Sequence, residues 1–93
     1  MDDIIRVLLL KDGRILVTKL KEVADHDIGE PDCVMIDPVI YDTSNEDLEK
    51  ALSRFPGKHV TVDTKMAISS DNILTMVTPT PQLLSEYLIV IGD

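Results

Sequence analysis

Ile4-Ile5-Arg6-Val7-Leu8-Leu9-Leu10-Lys11-Asp12-Gly13-Arg14 is an aliphatic run that ends in its own turn. The run has the length and the Ile and Val content of a strand, with Ile5, Val7 and Leu9 on one face and Ile4, Leu8 and Leu10 on the other. Both faces are apolar, so both are expected to be buried. Asp12-Gly13 is a pair that tolerates positive φ in a tight hairpin, so residues 14–23 are expected to return antiparallel to the first strand.

Outward from this hairpin, residues 24–32 form a polar stretch containing Gly29 and Pro31, and read as a loop. Residues 33–41 read as a third strand interrupted at Pro38, which cannot donate to a central ladder and so marks a bulge, a bend or an edge. Ser44-Asn45-Glu46-Asp47 resembles a helix N-cap, and Leu48, Leu52 and Phe55 follow at helical spacing until Pro56-Gly57. A short surface helix is therefore expected within an inserted segment, residues 43–58. The alternation of Val60, Val62, Met66 and Ile68 predicts a fourth strand over residues 59–68, irregular around residues 63–65. Residues 69–72 are too short a link for a helix, and residues 73–78 make a fifth strand. Thr80 followed by Pro81 opens a C-terminal helix whose Leu83, Leu84, Tyr87, Leu88 and Ile91 fall largely on one face.

The chain has 93 residues, one domain's worth, and shows no internal repeat or low-complexity tract. A domain this short buries only about 60 to 65% of the surface its unfolded chain exposes. Leu, Ile and Val nevertheless supply 30 of the residues, and the single cysteine, Cys33, rules out an intramolecular disulfide. Oligomerisation is the remaining source of burial. Seventeen acidic residues against nine basic ones give a formal net charge of -8, a field that repels phosphate backbones overall. The start Met1-Asp2-Asp3 lacks the basic region of a secretory signal, and the longest apolar runs are far short of a bilayer's thickness. A cytoplasmic location and no membrane partner are expected.

The hairpin Lys11-Asp12-Gly13-Arg14 after an apolar strand resembles the first motif of the Sm-like family. Ile68-Ser69-Ser70-Asp71-Asn72-Ile73-Leu74 resembles its second motif, in which isoleucine precedes Arg-Gly and is followed by Asp or Asn and two aliphatics. The fifth strand, Pro79-Thr80-Pro81 and the amphipathic tail resemble small Sm-like proteins of tailed phages that infect marine cyanobacteria. The resemblance covers about half the chain. It implies a mainly β fold: a five-stranded, strongly bent antiparallel open barrel, here with a short inserted helix and a C-terminal helix. It also implies a homo-oligomeric ring of five to seven copies, joined through the fourth and fifth strands, that binds single-stranded RNA and acts in RNA metabolism. The base-reading residues depart from the family pattern. Counted from Gly13, Ala24 stands where the family has aspartate, His26 where it has a stacking aromatic and Ile28 where it has asparagine, with Asp25 one place off. Ser69 and Ser70 replace the arginine and glycine of the second motif.

The RNA-contacting candidates are therefore His26, Ser69, Ser70, Asp71 and Asn72. His26 is a ring that can stack on a base, and the two serines can donate hydrogen bonds to phosphate. General loop chemistry favours the plainer reading, with His26 as a solvated loop residue and the serines as turn-formers. Lys58 with Lys65, or Arg14 with Lys19 and Lys21, would make a basic face only if they converged. Asp25, His26, Asp27, Glu30 and Asp32 bring carboxylates and one imidazole that could meet a divalent cation, but their spacing matches no EF-hand and acidic loops usually serve solubility, so no metal or cofactor is expected. No nucleophile elbow, phosphate-cradling glycine loop or Cys-His pair is present, and Cys33 leads an apolar run as a packed residue. No catalytic residue is expected. A ring that has kept the scaffold but lost RNA reading, and serves as a platform for other proteins, is the alternative.

Overall fold

The computed structural model describes residues 4–23 and 31–92. They form a six-stranded antiparallel sheet and a C-terminal helix. The strands are β1 (Ile4–Leu10), β2 (Ile15–Glu22), β3 (Cys33–Tyr41), β4 (Leu52–Arg54), β5 (Lys65–Ile68) and β6 (Ile73–Val77). The helices are α1 (Leu48–Ala51) and α2 (Pro81–Val90). Along the sheet the order is β4-β3-β2-β1-β6, and β5 also pairs with β3. The last strand thus returns to lie beside the first, and β3 carries β4 along one half of its outer edge and β5 along the other.

The opening hairpin forms as its sequence predicts. Leu9 faces Ile15 across the turn, the Leu10 N–H donates to the Arg14 carbonyl (2.9 Å), and Gly13 sits at φ 94°. The Asp12 carboxylate accepts from the Arg14 backbone N–H (3.0 Å) and its guanidinium Nε (2.7 Å). These two bonds, the backbone one first, hold the Asp12 carboxyl below the usual aspartate range.

Both faces of β1 are buried. On one, Val7, Val17 and Val39 pack with Leu52 and Tyr87 beneath α2; on the other, Leu8, Leu10, Leu16 and Met35 pack with Phe55, Met66 and Ile73. The helix covers only the first face.

The interruption at Pro38 is a bulge. Val17 pairs with Val39 but Lys19 pairs with Ile36, so Thr18 faces the extra residue, and Asp37 takes a left-handed φ of 53°. The fully buried Thr18 hydroxyl donates to the Ile36 carbonyl (3.1 Å) and the Lys19 carbonyl (2.9 Å), so it is satisfied. Tyr87, 0% exposed, donates its hydroxyl to the Asp37 carbonyl at 2.8 Å and fixes α2 on the bulge. Arg54 completes the junction: its guanidinium meets the Asp37 carboxylate (3.3 Å) and donates to the Ile91 carbonyl (3.1 Å) at the negative end of α2. At the other end, the Thr80 hydroxyl accepts from the Leu83 N–H (3.2 Å) and Pro81 occupies the first turn, as the sequence predicts.

Two expectations are corrected. The helix expected to run as far as Phe55 is a single turn, α1, followed by β4, which brings the count to six strands instead of five. Leu52 and Phe55 pack on opposite faces of the sheet, as residues three apart do in a strand and not in a helix. The fourth strand expected over residues 59–68 is confined to Lys65–Ile68, and Val60 and Val62 lie exposed in the segment before it. The link before β6 is one 3-10 turn, Ser70–Asn72.

Substituting Gly13→Val is expected to cost about 1 to 3 kcal/mol, because a β-branched residue is strained at positive φ. Denaturant unfolding checks it, and an unchanged midpoint would refute the turn. Tyr87→Phe removes the donor to a buried carbonyl and is expected to cost about 1 to 2 kcal/mol by the same measurement. The depressed Asp12 pKa contributes stability above the unfolded-state pKa that is lost as pH falls through the lower folded value. A carboxyl NMR titration should place the Asp12 midpoint below 3.8.

Candidate functional site

The turn that joins β5 to β6 holds four of the five sequence-predicted candidates. The Ser69 hydroxyl accepts from the Asp71 N–H (3.3 Å) and its carbonyl from the Asn72 N–H (3.0 Å), so Ser69 caps the turn. The Asn72 carbonyl accepts from the Lys11 N–H (3.0 Å), which ties the turn to the opening hairpin. Ser70 donates from its backbone N–H (2.7 Å) and its hydroxyl (2.5 Å) to the two carboxylate oxygens of Asp32. Asp71 and Asn72 are exposed. His26, the fifth candidate, lies outside the described residues, as do Asp25, Asp27 and Glu30.

Asp32 is thus the residue that joins the chain entering β3 to the turn entering β6. Its backbone carbonyl also accepts from the Val23 N–H (2.8 Å) at the end of β2. Asp32, at the entry to β3, meets the turn 69–72 at one end of the sheet through its carboxylate. Ser69 and Ser70 use their hydroxyls within the fold, as turn-formers do. Asp32 and Asp71 place carboxylates at the turn, and Lys11, Asp12 and Arg14 of the opening hairpin share a cavity wall with Asn72.

Beside this clamp, between β2 and β6, lies an open cavity of about 620 Å³ with Leu20, Cys33, Ile73 and Met76 in its wall and Glu22 and Asp32 at its rim. Cys33 is buried, and burial, with the nearby Asp32 and Glu22 charges adding to it, pushes its thiol pKa up. The thiol therefore stays protonated at neutral pH and is a poor nucleophile. Among the described residues no three His, Cys, Asp or Glu gather as a metal site needs. Two of the candidate basic residues are engaged with acids: Arg14 is paired with Asp12 and stacked 5.3 Å over Phe55, whereas Lys19 faces Asp37 at 3.8 Å.

Among the described residues β6 pairs only with β1, and its Leu74, Met76 and Val77 are 68%, 48% and 45% exposed. Ile73-Leu74-Thr75-Met76-Val77 carries apolar side chains on both faces, a pattern that asks for cover on both, and none of its residues is charged or proline. At the opposite end of the sheet β5 pairs, among the described residues, only with β3. No described helix is long and apolar enough to cross a membrane.

This architecture defines a small, mainly β domain in which, among the described residues, β4 and β5 at one end of the sheet and β6 at the other each pair on one side alone. Residues 3–92 match the model of a family of unknown function (DUF6561), and the chain belongs to that family. No curated protein matches it.

Replacing Asp32 by Ala removes both acceptors of Ser70 and is expected to destabilise the domain by roughly 1 kcal/mol, the size of a partly exposed charge-assisted pair. A double-mutant cycle with Ser70→Ala measures the coupling, and strictly additive losses would show that the clamp contributes nothing.

Proposed function

We propose that this protein is a non-catalytic, Sm-like subunit that assembles into a homo-oligomeric ring in the cytoplasm. The observation that carries the reading is β6: an uncharged terminal strand with an open edge and three exposed apolar side chains. A strand of this kind normally carries a lysine or a proline that blocks pairing; β6 has neither, and its one irregularity is the register shift opposite Leu9 and Leu10. With β4 and β5 at one end of the sheet and β6 at the other, a head-to-tail contact through β5 and β6 pairs two of these edges, and a closed ring does so without growing into a fibre. The motif-like stretches at residues 11–14 and 68–74, and the return of the last strand to the first, support the Sm-like form of that ring.

For the ring's role, protein interaction is the better supported reading. The net charge of -8, the Asp32 and Asp71 carboxylates at the turn, and the serine hydroxyls committed to the fold all disfavour a phosphate backbone there. Single-stranded RNA binding, and with it a place in RNA metabolism, is the second reading. It is favoured by the meeting of Asp32, at the entry to β3, with residues 69–72, as a composite RNA site requires.

Native mass spectrometry is expected to give an integer multiple of the 10.4 kDa chain, and Leu74→Lys with Met76→Lys to reduce it to the monomer. A wild-type monomer would end the proposal. Fluorescence anisotropy with labelled oligo-uridine and oligo-adenosine separates the two roles. No binding at low or near-physiological salt is expected for a protein platform. Saturable, salt-sensitive binding that His26→Ala with Ser69→Ala abolishes would establish the RNA reading instead.

A further inference from the structure

Helix α2 lies over one face of the sheet, and the apolar cluster on the other face keeps an opening of its own. A cavity of about 420 Å³ reaches down to the buried Leu10, Leu16 and Met35, with the half-buried Phe55 and Met66 in its sides. Its mouth is formed by the opening hairpin, through Lys11, Asp12 and Arg14, together with Asn72. It has no wall residue in common with the cavity beside the Asp32 clamp. An apolar interior of this size, with a few polar groups gathered at one end, is the usual form of a small-molecule site.

The charge left over at the mouth is positive. Among the described residues Asp12 is the one acid there, and its carboxylate already accepts from the Arg14 backbone N–H (3.0 Å) and Nε (2.7 Å). Those two charges offset each other. Lys11 is exposed and makes no ion pair among the described residues, so its ammonium is the surplus charge. Its backbone N–H is bonded to the Asn72 carbonyl (3.0 Å), which anchors the residue at the mouth and leaves the side chain available. On a chain of net charge -8, a local cation above an apolar cavity favours a ligand with a single negative group.

The walls define the rest of that ligand. Leu10, Leu16, Met35 and Met66 offer aliphatic carbon and thioether, and methionine side chains adapt to a flexible guest. Phe55, the one ring in the wall, has the Arg14 guanidinium stacked over it at 5.3 Å, so a planar aromatic guest would compete with that contact. An aliphatic chain needs no ring face.

We infer that this cavity is a binding site for a medium-chain aliphatic carboxylate, with the chain against Leu10, Leu16 and Met35 and the carboxylate on the Lys11 ammonium. All of these residues belong to one chain, so the site does not depend on the ring reading.

NMR of the wild-type protein with methyl-labelled methionine, titrated with octanoate and separately with 1-octanol, tests this directly. Octanoate is expected to shift the Met35 and Met66 methyl signals saturably and to leave Met76, in the wall of the other cavity, in place. Lys11→Gln, at an exposed position, is expected to weaken octanoate binding about threefold to fivefold and to leave 1-octanol binding and the unfolding midpoint unchanged. The absence of a saturable octanoate shift would overturn the inference, as would shifts confined to Met76. Octanoate and 1-octanol binding equally well, with Lys11→Gln affecting neither, would overturn the assigned ligand class.

Discussion

Asp37, held in the left-handed region at φ 53°, is the constraint on which the layout of the sheet depends. The extra residue it inserts bends β3 and breaks its register with β2. The bend lets two short strands share one edge of β3, with Pro38 at the boundary between them. The same residue presents its carbonyl to Tyr87, which seats α2 over one face of the sheet, and its carboxylate to Arg54, which reaches on to the end of that helix. Asp is among the few side chains that occupy this backbone region at modest cost, and here its carboxylate also has two cationic neighbours. Bulge, helix and edge sharing are therefore one device.

The shared edge has a consequence at both ends of the sheet. On one side β5 is cut to four residues and the strand-like segment before it is left folded on itself. On the other, β6 returns to β1 and stops, with apolar side chains on both of its faces. A short chain rich in aliphatics thus leaves part of that supply in water at the two places where its backbone can still pair. The end where Asp32 holds Ser70 is exposed, carries the Asp32 and Asp71 carboxylates and is tied down by hydrogen bonds. In the proposed account, assembly belongs to the edges and the charged end faces whatever the assembly meets.

Much of the fold is legible from local signals alone. The hairpin follows from Asp12-Gly13, the two-sided burial of β1 from its unbroken aliphatics, the bulge from Pro38 and the helix start from Thr80-Pro81. The segment 48–55 misleads because Leu48, Leu52 and Phe55 satisfy a helical period, and only pairing with Val39 to Tyr41, more than ten residues away, makes a strand of its second half. Residues 59–64 mislead for the opposite reason: their pattern is truly strand-like, but the edge they would join is occupied. At the site, the turn 69–72 was visible as a motif, whereas the pairing of Asp32 with Ser70, 38 residues apart, has no local signature. Asp32 stood out only as one acid in an acidic stretch.

In the proposed ring the sheet continues past β5 and β6 into neighbouring copies. Small-angle X-ray scattering over a concentration series measures that claim in solution, because the single chain has a Cα radius of gyration of 13.1 Å. A closed assembly of five to seven copies predicts a value of roughly 23 to 26 Å or more by compact-domain scaling. A radius that stays near 13 Å at every concentration would contradict the account.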